Sequence, residues 1–302
     1  FFFWMVEPLR GATEEALKGL YGEGGAGGSY DKALDWEGFM HAMGRNRSNF
    51  ILILQNFTNA IPWGLIFVFL NDFLSQERKL PVDQATTLVA MFGIGAAVGG
   101  GAGGCLGQWA ARVDRRFLPA YMSFATFVAI FPTLAIINAP YDSVSWASIS
   151  YSLLSGCTAN LAGVNVRPAV INVNPPEVRG VSMTAANLVI NLGRGIGPAF
   201  VTILGQWARS DRKQSFNILI TFCWTLTAVL LLLLVWTLPA DEDRMAEGLR
   251  QYVVAAQKLK KEKNRDDMII NNKPVSASPD EESVGLLLGN VEMRTMRKGV
   301  ES

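Results

Sequence analysis

Thr184, Asn187, Asn191, Arg194, Pro198 and Thr202 recur at spacings of three and four residues in a segment otherwise built from Val, Ile, Leu, Ala and Phe. Positions three and four apart share a helix face, so these side chains form one polar stripe. The segment, 175–207, is apolar for long enough to cross a bilayer, which takes about 20 residues. Hydrocarbon leaves polar groups unpaired, so the stripe must face protein or a water-filled path. The chemistry on offer is solute binding by amides and one guanidinium, with no bond made or broken. Arg194 lies near mid-depth, where a charge costs at least ~2.5–3.5 kcal/mol unless compensated. No Asp or Glu falls within any apolar span. Compensation must therefore come from an acidic group outside them, an anionic solute, or helix carbonyls loosened by Gly193, Gly195 and Gly197. A structural anchor and an anion contact both remain open for this side chain.

Two further spans carry buried polar groups. Gln55, Asn56, Asn59, Pro62 and Trp63 lie in the first, with Asn56, Asn59 and Trp63 on one face. Pro62 removes a backbone hydrogen bond mid-membrane, which is tolerated where a helix lines a cavity. Asn160 and Asn165 lie in the fourth, with Arg167 near its end. A pathway role competes here with hydrogen bonds between helices. Catalytic material is scarce. His41 is the only histidine, and no paired carboxylates or phosphate-binding loop occurs. Cys105, Cys157 and Cys223 fall in apolar runs and read as small buried side chains, with no metal spacing. No catalytic residue, metal or cofactor is expected, and a net charge near zero gives no pull toward nucleic acid.

The elements that position these groups follow from hydropathy. Half of the 302 residues are hydrophobic, concentrated between 50 and 238. Residues 1–6 (FFFWMV) read as the end of a truncated membrane helix. Residues 7–48 form a Gly-rich polar loop, and 49–238 a bundle of six spans at 50–70, 85–109, 117–137, 144–166, 181–208 and 216–238. The third and sixth, almost wholly apolar, are expected to face lipid. Residues 239–263 form an amphipathic helix with Met245, Leu249, Val253, Ala256 and Leu259 on one side. It can lie along an anionic leaflet or stand solvated. Residues 264–302 are polar enough for disorder. Counting Lys and Arg in the loops gives ten on one side and five on the other, which places both ends in the cytoplasm. In the tail, Glu282, Leu286 and Leu287 match an acidic di-leucine sorting pattern, which points to an endolysosomal or vacuolar membrane.

Gly95, Gly99, Gly103 and Gly107 recur every four residues in the second span, a spacing that lets another backbone approach. Gly193, Gly197 and Pro198 are assigned the same packing role in the fifth.

Three stretches resemble the carboxy-terminal half of a major facilitator superfamily transporter. Gly104, Leu106 and Arg112 match the family's loop motif, whereas Gln108 stands where an Asp is expected and Trp109 where a basic residue is. Asp114, Arg115 and Arg116 stand close enough to replace its charges. Asn172–Gly180, with Glu177 and Arg179, is similar to the loop before the eleventh helix. Leu192–Pro198 is similar to a run in plant, algal and protist relatives of spinster-like transporters. The resemblance implies an all-α membrane protein, six helices forming one half of a major-facilitator-type bundle. It implies alternating access around a midplane site shared with an N-terminal six-helix half. The implied partners are that half, the lipid bilayer and a small organic or amphiphilic anionic solute, with or without a coupling ion. A transport-inactive receptor or scaffold, or a six-helix protein that dimerises, would share the same spans.

Overall fold

The computed structural model describes residue 17 and residues 36–140, 143–207 and 211–271. The apolar start at 1–6 and the sorting pattern at Glu282, Leu286 and Leu287 lie outside the described residues, as does nearly all of the tail. Every regular element described is a helix. These are α1 (Trp36–Arg45), α2 (Arg47–Gln76), α3 (Val82–Val113), α4 (Phe117–Asn138), α5 (Trp146–Leu161), α6 (Gly163–Val173), α7 (Arg179–Trp207) and α8 (Arg212–Asn271). Two compact units are distinguished, Phe1–Val254 and Ala255–Ser302. Of the second, only the last turns of α8 are described, and there Leu259 is exposed.

Five helices (α2, α3, α4, α7 and α8) are long and apolar enough to cross a membrane. The fourth expected span, 144–166, is instead divided into α5 and α6 at Ala162. Ala162 keeps helical dihedrals (φ −79°, ψ −38°), so the interruption lies in the hydrogen-bond ladder rather than in a turn. Asn165 donates its N–H to the Ala162 carbonyl three residues back, and Pro168 has no N–H to offer Val164. Residues 36–45, expected within a polar loop, form α1. Its Phe39 is buried, and its Met43 sulfur accepts a hydrogen bond from Ser182 Oγ at 3.6 Å. The expected separate helix at 239–263 has no start of its own, because α8 runs through Pro239 without a break.

Helix ends are satisfied across elements rather than locally. Asn46, the N-cap of α2, makes no capping bond of its own, and its side chain donates to the Val173 carbonyl at the end of α6. The α2 N-terminus is capped from α8, where buried Asp241 accepts the Ser48 N–H at 2.8 Å. Two more contacts tie α2 to α8. Thr58 and Thr227 share a hydrogen bond at 2.8 Å, and Arg212 donates to Asp72 at 2.6 Å. Glu77, just past α2, also lies 3.8 Å from Arg212. Burial raises the Glu77 carboxyl above the usual carboxylate range against the pull of Arg212, and Asp211 and Asp72 push it further up.

Apolar packing forms two clusters at different depths. One gathers Phe73, Leu88, Ile137, Ile220 and Trp224, and the other Leu52, Met122, Val173, Leu231 and Leu234. Lipid tails are as apolar as these side chains, so close packing and interhelical hydrogen bonds hold the bundle together. The helices share in this unequally. In the most apolar windows of α2, α4 and α8, 50–56% of the residues are buried, against 28% for α3 and 17% for α7. The exposed positions of α4 (Phe124, Phe127 and Phe131) and of α8 (Phe222, Val229, Leu232 and Trp236) are large and apolar, as a lipid-facing surface requires.

Candidate functional site

Two glycine seams set the geometry of the site. Along the first, a Cβ on Gly95, Gly99 or Gly103 of α3 would collide with the backbone of α5 at Leu153, Cys157 or Leu161. Gly156 on α5 would collide in the same way with the Phe92 carbonyl. Gly107, one turn further on, faces the Asn165 side chain instead of backbone. Along the second, Gly64 of α2 lies against the Arg194 backbone of α7. A Cβ on Gly193 would come within 2.7 Å of the Phe57 carbonyl oxygen, and one on Gly197 within 2.6 Å of that of Ile61. Gly95, Gly99 and Gly103 meet Leu153, Cys157 and Leu161 in that order, and Gly193 and Gly197 meet Phe57 and Ile61 in that order, so each pair is parallel. Pro198, assigned to packing with them, is half-buried.

Between the pairs lies a cleft of about 730 Å³. Its α2 wall presents Asn56, Asn59, Trp63, Phe67 and Asn71. α3 contributes Val89, Phe92, Gly93 and Ala96, while Asn160, Val164, Arg167 and Val170 come from α5 and α6. α7 closes the ring with Met183, Asn187, Ile190 and Arg194. Trp63 packs edge-on to Phe92 with ring centroids 5.8 Å apart, which fixes the aromatic wall. The Arg194 guanidinium stacks over the Phe67 ring at 5.4 Å.

The residues expected along a solute path divide into three groups. Asn56, Asn59, Trp63, Asn160, Asn187 and Arg194 come together on the cleft. Gln55 and Asn165 are buried and do not line it. Asn165 donates to the Gly103 carbonyl at 2.9 Å, an interhelical bond across the first seam. Asn191 is exposed on α7 but outside the cleft. Asn160 does both jobs, lining the cleft and donating to the Ala96 carbonyl at 2.8 Å. Sequence reasoning missed Asn71 and did not put Arg167 in the path. The signal for Arg167 was present, a cation two helical turns beyond Asn160 and one beyond Val164.

Asn56 of this wall and its neighbour Gln55, which does not line the cleft, form an incomplete polar pair. Gln55 Nε2 donates to Asn56 Oδ1 at 2.9 Å, which leaves Gln55 Oε1 and Asn56 Nδ2 buried without partners. An unmade hydrogen bond of this kind costs about 1–3 kcal/mol. Among the described residues the cleft lining includes two arginines and no carboxylate, so its field favours anions.

The loop motif adopts a different wiring from the expected charge latch. Gly104 is half-buried, while Leu106, Gln108, Trp109 and Arg112 are exposed. Asp114 accepts the Arg116 N–H at 2.8 Å, closing the turn into α4, and Arg115 pairs with Asp243 of α8 at 2.5 Å. Arg179 donates to the Ile171 and Asn174 carbonyls, which caps the end of α6, and Glu177 is half-buried beside it in sequence.

A family model described as Major Facilitator Superfamily matches residues 31–264, more than half of the chain. The chain belongs to the major facilitator superfamily. It is accordingly an integral membrane protein of a family whose members are generally transporters rather than enzymes. Searches of curated proteins and of solved structures returned no match.

Proposed function

We propose that this chain is part of a secondary active transporter working by alternating access, and that the cleft takes an anionic, amphiphilic solute. The observation that carries this reading is the lining itself: two arginines and no carboxylate, amides on three helices, and a Trp63–Phe92 wall for an apolar body. In this reading α5 and α6 together make a sixth crossing. The loop charges put the start of α2 and the C-terminal tail in the cytoplasm, and the di-leucine pattern directs the protein to an endolysosomal or vacuolar membrane. The sparsely buried helices α3 and α7 are where a second six-helix half would pack. Gly93, Gly101 and Gly104 support this, since nothing lies within 4 Å of where their Cβ atoms would be. The charge at Arg194 then stands between the halves, where a solute can neutralise it.

Arg194→Ala in the full-length protein, reconstituted in liposomes, is expected to abolish uptake while the protein still folds and inserts. Normal uptake by that variant would remove Arg194 from the mechanism. A transport-inactive receptor or scaffold is favoured by one observation, the exposed Gln108 and Trp109 where the family's loop charges would stand. Solute flux through the reconstituted wild type separates the two readings.

A further inference from the structure

The two arginines of the cleft stand at different depths. Asn46 bonds the Val173 carbonyl and Asn49 the Asn174 side chain, each at 2.8 Å, so the end of α6 is level with the start of α2. Arg167 precedes Val173 by six residues, which raises it about 9 Å from that level. Phe67, on which the Arg194 guanidinium stacks, follows Asn49 by 18 residues, about 27 Å. The register across α7 agrees: Arg179 donates to Ile171 and Asn174, and Arg194 comes 15 residues later. The two cations are thus separated by roughly 15–20 Å along the bundle. Donors to one oxyanion lie within about 3 Å of its oxygens, so these two arginines do not converge on a single anionic group.

Their surroundings differ as well. Arg194 stands at the aromatic end, stacked on Phe67 near the Trp63–Phe92 pair. Arg167 is exposed to the cleft and makes no hydrogen bond or ion pair among the described residues. Asn187, Asn59 and Asn160 line the cleft between Arg167 and the aromatic wall. Asn187 is exposed and Asn59 half-buried, and neither is hydrogen-bonded among the described residues. The cleft therefore runs from an unpaired cation through amides to aromatic rings. A guanidinium flanked by neutral donors suits an oxyanion, and an aromatic wall suits an apolar body.

We infer that Arg167 is the head-group contact of the cleft. It binds the oxyanion of an amphiphile, Asn187 and Asn59 donate to the remaining oxygens, and the apolar body lies toward Trp63 and Phe92. Arg194 is then a separate contact, whose loss impairs uptake without releasing the head. This rests on the reading of the cleft as the solute site and adds to it an orientation. A carboxylate and a phosphate monoester both fit these donors, and the choice of probes separates them.

The test is equilibrium binding to purified full-length protein in lipid nanodiscs, with empty nanodiscs as the blank. The probes are decanoate and decyl phosphate, with decyltrimethylammonium as a cation of similar chain length. Wild type is expected to bind at least one anion more tightly than the cation. R167Q drops the charge at an exposed position, so Tm is expected to hold while anion affinity falls about ten- to a hundredfold. R167K keeps a charge and is expected to recover part of that loss. A merely structural Arg167 would lower Tm and affinity together. N187L, which removes a neutral donor, is expected to cost about three- to tenfold. R194A is expected to lose uptake yet weaken binding by about threefold or less. Decanoate carrying a diazirine at its last carbon is expected to cross-link near Trp63 or Phe92. Cross-linking on α6 instead would overturn the orientation. Wild-type affinity in R167Q would overturn the assignment, as would wild-type affinity in N187L should R167Q fold poorly. Binding lost in R194A but kept in R167Q would move the head to Arg194 and leave the cleft reading standing. Wild type that binds neither anion, or the cation as tightly, would overturn both.

Discussion

The α3–α5 and α2–α7 pairs use one device, glycines that let parallel helix backbones touch, and put it to different ends. In the first pair glycines on both helices interlock over three successive turns, and the polar side chains beside them, Asn160 and Asn165, donate to α3 carbonyls. In the second pair the glycines hold α7 by a single edge, and the rest of its surface is open. Thr184, Asn187, Asn191, Arg194 and Thr202 are all exposed, as are Leu188, Leu192 and Ile203. The same close approach therefore engages the polar groups beside one seam in bonds between helices and leaves those of α7 exposed. What decides the outcome is which face of each helix carries the glycines.

That contrast can be broken most directly at α3, which has glycines on two faces. Gly99→Leu is expected to abolish folding, because its side chain would have to occupy the Cys157 backbone; overpacking of even well-placed cores costs about 1–3 kcal/mol. Gly101→Leu meets nothing within 4 Å of its Cβ and is expected to leave the unfolding free energy within about 1 kcal/mol of wild type while impairing transport. Thermal unfolding in detergent alongside liposome uptake checks both. Equal stability of the two variants would show that the seam is not what holds α5.

A smaller effect sharpens the polar half of the comparison. Asn165→Ala removes the donor to the Gly103 carbonyl and leaves space beside Gly107. A loss of about 0.6–2 kcal/mol is expected, with solute affinity unchanged because Asn165 does not line the cleft. Reduced affinity at constant stability would move it into the path.

The smallest effect concerns the anchoring of α2 rather than its seam. Glu77 is raised above its ordinary value by burial, despite Arg212. A carboxyl raised on folding supports the folded state most when protonated, below its usual value near 4.5, and that support fades as pH climbs through the raised value. Glu77→Gln should therefore match wild type at low pH and be slightly the more stable at neutral pH, read from Tm across pH 4–8. An identical pH profile for both proteins would show that Glu77 carries no such cost.

Much of the framework was legible in the sequence. The spans expected at 50–70, 85–109, 117–137, 181–208 and 216–238 each fall within or against one observed helix, and the helices overrun them because hydropathy marks only the stretch suited to hydrocarbon. The glycine repeat named its own seam, though not its partner, since spacing gives a face and no direction. Ala162 was invisible: the cause lies in Pro168 and Asn165, and neither changes the apolarity of the span. The candidate site was legible as a set of polar residues but not as a place. A buried amide must find a partner, and composition cannot tell a neighbour's carbonyl, as for Asn165, from free volume, as for Asn59.

The interruption at Ala162 falls where the first seam changes character. Up to Leu161 the contact is main chain on main chain, and at Gly107 it is a single amide side chain. Val166, Arg167 and Val170 of the cleft wall all lie past that point, on α6. Against α3 the wall is therefore fixed backbone to backbone along α5 and by one side chain along α6, and the far end of α6 is held from other directions instead, by Asn46 before α2 and by Arg179 of α7.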